Sequence, residues 1–174
     1  MRKIIFLCIG LLSITSCVDQ KLSLSRTSNT TSKIRLDGFY YSRHEGDKPS
    51  YGISFFYQDG TVFHAGIASE EDFKDIGQFI AEHENFRRNT KESWGLYQIS
   101  GNRFIMEGWN SSVGGGLPRY RKEGLILNDS TILLTEYRGY ENKSPKIETI
   151  ESGYLYFRPH LPKPDSTNHF IPHN

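Results

Sequence analysis

Long apolar runs and cysteines are both scarce in this chain. The one extended greasy stretch is IIFLCIGLLSI, residues 4 to 14. A helix that crosses the hydrocarbon core needs about 20 apolar residues, so this run is too short to make a stable span. The two cysteines, Cys8 and Cys17, both fall near the amino end. The rest of the chain holds none, which excludes a disulfide framework and leaves the fold to its core. An excess of one charge is also missing. Lys and Arg number 21 against 20 Asp and Glu, a net charge of +1. That balance lacks the basic field a nucleic-acid partner requires. Of the six histidines, His44, His64, His83, His160, His169 and His173, only His169 and His173 stand four apart, and Pro172 lies between them in the irregular tail where no helix is expected. Without cysteines beside them no zinc spacing exists. The triglycine Gly114 to Gly116 lacks the Lys-Ser/Thr ending and the strand-loop-helix frame of a phosphate loop. No Gly-x-Ser-x-Gly elbow is present, although triads can assemble from distant residues. Nothing here points to a cofactor, and an enzyme is not expected.

What is present begins at the amino end. Met1, Arg2 and Lys3 precede the apolar run, the layout of a secretory signal. Ile14, Thr15, Ser16 and Cys17 follow it. This tetrapeptide resembles the bacterial lipobox: a branched apolar residue, two small residues and a cysteine. The resemblance implies cleavage before Cys17, a diacylglycerol thioether on its sulfur and a further acyl chain on the new amino terminus. Two or more chains hold a protein on a bilayer durably, at about 0.8 kcal/mol per buried methylene. Residue 18 is Val and not the Asp typical of inner-membrane retention, so the resemblance implies the outer membrane of a Gram-negative envelope. Residues 1–16 are then a signal peptide. Losing Arg2 and Lys3 moves the net charge to the acidic side of zero.

Residues 17–35 carry mostly Ser, Thr, Asn and Lys, a composition that cannot offset ordering entropy by burial. A flexible stalk is expected there, with a reach on the order of 20 Å. Residues 36–158 are aromatic-rich, drawing on eleven Phe, ten Tyr and two Trp in the whole chain. Such side chains suit half-buried pleated surfaces. LDGFYYS (36–42) reads as a first strand. Asp59-Gly60 lies between two alternating runs and predicts a two-residue hairpin. That register pairs Tyr57 with Val62, Phe55 with His64 and Ile53 with Gly66, placing Ile53, Phe55, Tyr57 and Val62 on one face. Residues 69–88 change to helical period, with Phe73, Ile76, Ile80, His83 and Phe86 recurring on one side and Ser69 as cap. A second hairpin turns at Gly101-Asn102, with Trp94 facing Trp109, Leu96 facing Glu107 and Tyr97 facing Met106. A third turns near Asn128-Asp129, and residues 147–159 form the last strand. The tail, 159–174, is Pro-rich and irregular, with Phe170 and Ile171 able to tuck against the body. Glu107, Glu123 and Glu136 sit on expected strands, where two carboxylates could share a pocket.

The tally is mainly β: about eight strands in hairpin order with one inserted amphipathic helix. A string of hairpins closes most simply as an antiparallel up-and-down barrel. An α+β sheet with a helix packed across it is the alternative. The body resembles lipocalin-like bacterial lipoproteins in Leu36-x-Gly38-x-Tyr40, Trp94-Gly95-x-Tyr97 and Tyr156-Phe157. It departs from them in having Tyr40 at the usual Trp place and a helix inside the strand series. The resemblance implies a cavity for a small apolar or amphipathic ligand. Phe55, Tyr57, His64, Tyr97 and Met106 are the candidate lining. A solid barrel that binds another envelope protein is the competing expectation. Asp129-Ser130-Thr131 and Asp165-Ser166-Thr167 also resemble a bacterial O-glycosylation signal.

Overall fold

Each alternating run becomes a strand. A computed structural model describes residues 19–111, 116–140 and 145–172, so the signal region, Cys17 and most of the triglycine lie outside the described residues. The strands are β1 (Gly38–His44), β2 (Ser50–Phe56), β3 (Thr61–Ser69), β4 (Trp94–Ser100), β5 (Arg103–Trp109), β6 (Arg119–Asn128), β7 (Thr131–Gly139) and β8 (Lys146–Pro159). Each pairs antiparallel with the next, and β8 pairs with β1 from Gly38 opposite Pro159 to Tyr41 opposite Tyr156. That last ladder closes the barrel and sets aside the open α+β alternative. The closure is narrowest where β3 meets β4, through Thr61–Phe63 and Trp94–Leu96, and where β8 meets β1, through Tyr156–Pro159.

The side-chain period of two sorts the barrel into inside and outside. One buried cluster takes side chains from all eight strands: Tyr40, Phe56, Val62, Tyr97, Phe104, Met106, Tyr120, Ile126, Ile132, Leu134 and Leu155, with Ile34. A cluster that touches every stave of a closed barrel is its lumen. A second cluster joins Phe39, Ile53, Phe55, Phe63, Trp94 and Trp109 to Ile76, Phe79 and Ile80. This is the outer face of β1–β5 under a helical cover.

The cover is α1 (Glu70–Lys74), α2 (Ile76–Arg88) and a 3-10 turn at Lys91–Ser93. Ser69 and Asp72 form a reciprocal capping box. The single helix expected over 69–88 is broken at Asp75, whose backbone leaves the helical region (φ −111°, ψ 59°) and whose carboxylate accepts from Gln78 N to start α2. The break rotates the buried face. Phe79 goes in, while Phe86, expected on the apolar side, is 70% exposed.

The 94–109 hairpin has the expected register, with Leu96 opposite Glu107 and Tyr97 opposite Met106. The 53–66 hairpin does not. Asp59 Oδ1 accepts from both Thr61 N and Thr61 Oγ1, and Tyr57 N donates to Thr61 O, so the loop is longer than two residues. Phe56 pairs with Val62, Phe55 with Phe63 and Ser54 with His64. A bulge after Ile53 restores Ile53 opposite Gly66.

The expected free stalk is instead a strap. Residues 19–35 run down the outside of the barrel and close one end. Ser23 N, Ser23 Oγ and Leu24 N all donate to the Glu107 carboxylate, at 2.7, 2.5 and 2.9 Å. Leu22 and Leu24 cover the outer cluster. Gln98 donates to Ser25 O, Arg26 pairs with Asp59, and Asn29 N donates to Gln58 O. Ile34 then enters the lumen cluster. Composition misleads here because the strap's polar groups find partners built into β4, β5 and the 57–60 turn. The tail also docks. Lys163 Nζ donates to Leu36 O and Phe56 O, and Ile171 is buried.

Candidate functional site at the barrel mouth

The two ends of the lumen differ in chemistry. The end with the short turns at 57–60, 101–102 and 129–130 is the base. There Phe56 packs on Tyr40, Tyr97 and Phe104 with ring centroids 5.3, 4.9 and 5.5 Å apart. Ile34 lies across it, and the Tyr40 hydroxyl donates to Asp129 O at 2.6 Å. This end is filled. The other end, where β1, β3, β5 and β7 finish, is the mouth, and polar side chains line it.

Register brings them together. Ser54 stands opposite His64, Met106 opposite Lys122, Gly108 opposite Tyr120, and Lys122 opposite Tyr137. His64 lies between two hydroxyls, its Nδ1 2.8 Å from Ser54 Oγ and its Nε2 2.9 Å from Tyr120 Oη. One ring nitrogen donates and the other accepts, which suits a neutral imidazole. Burial, with a smaller contribution from the Lys122 charge, pushes the His64 pKa down to about 3. Burial also raises the Tyr120 phenol above its ordinary range. Tyr120 needs a glycine across from it, since a Cβ on Gly108 would sit 2.7 Å from its hydroxyl. Tyr137 stacks on Tyr120 at 6.1 Å and takes a hydrogen bond from Asn110 Nδ2 at 2.7 Å.

Lys122 is the unusual member. Its ammonium lies 5.5 Å from the Tyr120 ring centroid, and burial lowers its pKa. Among the described residues no carboxylate pairs with it. Glu148, which register places opposite Tyr137, pairs with Lys146 at 2.5 Å instead. His44, at the rim, has its pKa lowered first by burial and then by the same lysine. The mouth therefore presents one cation, two imidazoles and two phenols with no described counter-charge. That set can hold an anionic or strongly accepting head group.

Of the five residues expected to line a cavity, His64 is in the mouth and Met106 is beside Lys122. Tyr97 is in the lumen but belongs to the filled base, its hydroxyl donating to Tyr57 O at 2.7 Å. Phe55 and Tyr57 are not in the lumen. The register shift turns Phe55 outward against Phe39, at 5.8 Å, and Tyr57 outward to donate to Pro164 O at 2.9 Å. Lys122 and Tyr120 do not stand out in the sequence because RYRKEGLIL is charged on one face and mixed on the other. The readable signal was the alternation Tyr120, Lys122, Gly124, Ile126.

The three strand glutamates share no pocket. All face outward, Glu107 into the strap, Glu123 to Arg103 and Arg121, and Glu136 to Arg138. A hollow of about 520 Å³ also lies outside the barrel, between the strap and the tail, bordered by Leu24, Trp109 and Ile171. Among the described residues no cluster of three metal-ligating side chains occurs, and no helix is long and apolar enough to cross a membrane. Comparison with models of known families, with curated proteins and with solved structures finds no match in any of the three, so geometry and not kinship carries the functional reading.

Proposed function

We propose that this chain is a membrane-anchored binding module, held by acyl chains on Cys17, whose mouth takes a small amphipathic ligand with an anionic head. The observation that carries this is Lys122. A half-buried charge with no described partner carries a desolvation cost, which a ligand supplying the opposite charge would offset. A ligand carboxylate or phosphate against Lys122 at the mouth, beside His64 and Tyr120, would do so, with its tail toward Met106 above the filled base. The test is native mass spectrometry of the intact protein released from envelopes in mild detergent. A co-purifying small molecule is expected on the wild type and at least tenfold less on Lys122→Met. Equal occupancy in both proteins, or none in either, would overturn the reading.

A second reading has its own observation. Leu125, Leu133 and Tyr154 are neighbours in register on the outer face of β6–β8, with Leu127 and Tyr156 beside them. Leu125, Leu127, Tyr154 and Tyr156 are exposed. Neither strap nor helix covers this side. An uncovered apolar face of this kind marks a contact with another protein of the envelope. Crosslinking from Leu127→Cys in intact cells checks it, and a strictly monomeric species with no adduct would exclude it.

A further inference from the structure

The place where the amino end leaves the barrel bears on how the molecule stands. Gln20 is clamped to the rim of the mouth by four hydrogen bonds. Its N donates to Leu117 O at 3.0 Å and its side-chain amide to Tyr140 O at 2.6 Å. Trp109 Nε1 donates to its carbonyl at 2.6 Å, and Arg119 N to its Oε1 at 3.1 Å. Next to it, Asp19 pairs with Lys91 at 2.8 Å. Trp109 ends β5, Arg119 begins β6, Tyr140 follows β7 and Lys91 precedes β4, so every anchor point is at the mouth end. The strap then descends to the base, where Arg26 and Asn29 meet the 57–60 turn.

Three residue steps separate Cys17 from Gln20. Fully extended they span about 10 Å at most. A bilayer's polar layer is about 5 to 8 Å deep on each side. An anchor at Cys17 therefore leaves no room to hold the mouth away from the headgroups. A free stalk of residues 17–35 would have allowed twice that distance and any orientation.

We infer that the barrel stands mouth-down, with its rim against the bilayer that holds its anchor and its base pointing away. This rests on acylation of Cys17 and extends the mouth reading: the amphipath would enter from the lipid layer without crossing water. Two pairs of rim charges are matched, Arg43 with Glu45 and Lys146 with Glu148, and the anchor itself is a covalent tether. Proximity then comes from the tether and not from surface charge, so salt should not disturb it.

Single-cysteine labelling of the full acylated protein tests this, because acylation of Cys17 leaves the mature chain without another thiol. Lys48→Cys places a fluorophore at the rim and Gln58→Cys one at the base, both at exposed positions. Each is reconstituted into phosphatidylethanolamine and phosphatidylglycerol vesicles bearing a nitroxide on the headgroup. Quenching several-fold stronger at position 48 than at 58, unchanged between low and high salt, is expected. A Gly/Ser insertion of about twenty residues between Val18 and Asp19 should bring the two labels level. Equal or reversed quenching in the acylated protein, or a rim bias that survives the insertion, overturns the orientation and leaves the lipid anchor standing. An intact mass without acyl chains overturns the anchor reading and this one with it.

Discussion

Glu107 on β5 and Lys122 on β6 stand one strand apart, on opposite faces of the same barrel wall, and receive opposite treatment. Glu107 is fully buried and surrounded by donors: two backbone amides and a hydroxyl from the strap, with Arg121 at 3.4 Å. Lys122 is half-buried at the mouth of the lumen, beside the Tyr120 ring and with no described acid. A buried charge whose partners belong to the same chain fastens structure. One without a described partner costs stability.

The largest effect expected from breaking this contrast is at Glu107. Glu107→Ala strips four donors of their acceptor and should cost about 3 to 5 kcal/mol in denaturant unfolding. Trypsin should then cut the freed strap at Lys21 and Arg26. Retained resistance at those bonds would show that the latch does not hold the strap. Lys122→Met should act in the other direction, gaining on the order of 1 kcal/mol, because an apolar side chain of similar length replaces a half-buried charge with no described partner. A loss of stability there would mean that the lysine has a partner in the folded protein.

His64→Gln sharpens the contrast through pH. The His64 ring faces Ser54, Tyr120 and the Lys122 ammonium, and its folded pKa, about 3, lies below the ordinary 6.5. Between those values the unfolded chain takes up a proton that the folded one refuses. Stability thus falls as pH drops below 6.5, by about 1.4 kcal/mol per unit. In His64→Gln the slope between pH 6.5 and 5 should lessen by one proton, read from unfolding midpoints across that range. The smallest effect is expected at Arg103, whose side chain is 58% exposed in its pair with Glu123. Arg103→Ala should cost less than about 1 kcal/mol, since Glu123 keeps Arg121 and water screens the rest.

These residues also show what the sequence reveals. The Gly101-Asn102 turn sets the register of its hairpin, so Glu107 opposite Leu96 could be read directly. Asp59-Gly60 misleads, because the Asp59 side chain captures Thr61 and lengthens the loop, turning Phe55 and Tyr57 outward. The strap was invisible for a different reason. A Ser/Thr-rich segment reads as solvated unless its acceptor is known, and that acceptor lies more than eighty residues away in β5. The mouth was half legible: alternation put His64 and Met106 inside, but the alternating charges of β6 hid the lysine that distinguishes that end from the base.

The distance along the chain between the latch and its donors has a consequence in time. Ser23 and Glu107 are separated by 84 positions. A polypeptide emerging amino end first has nothing for Ser23 to grip until β5 has followed it out. Throughout that interval the residues around position 20 have no dock. Connectivity alone thus puts β5 before the latch, and a chain that stalls short of β5 would leave its strap undocked indefinitely.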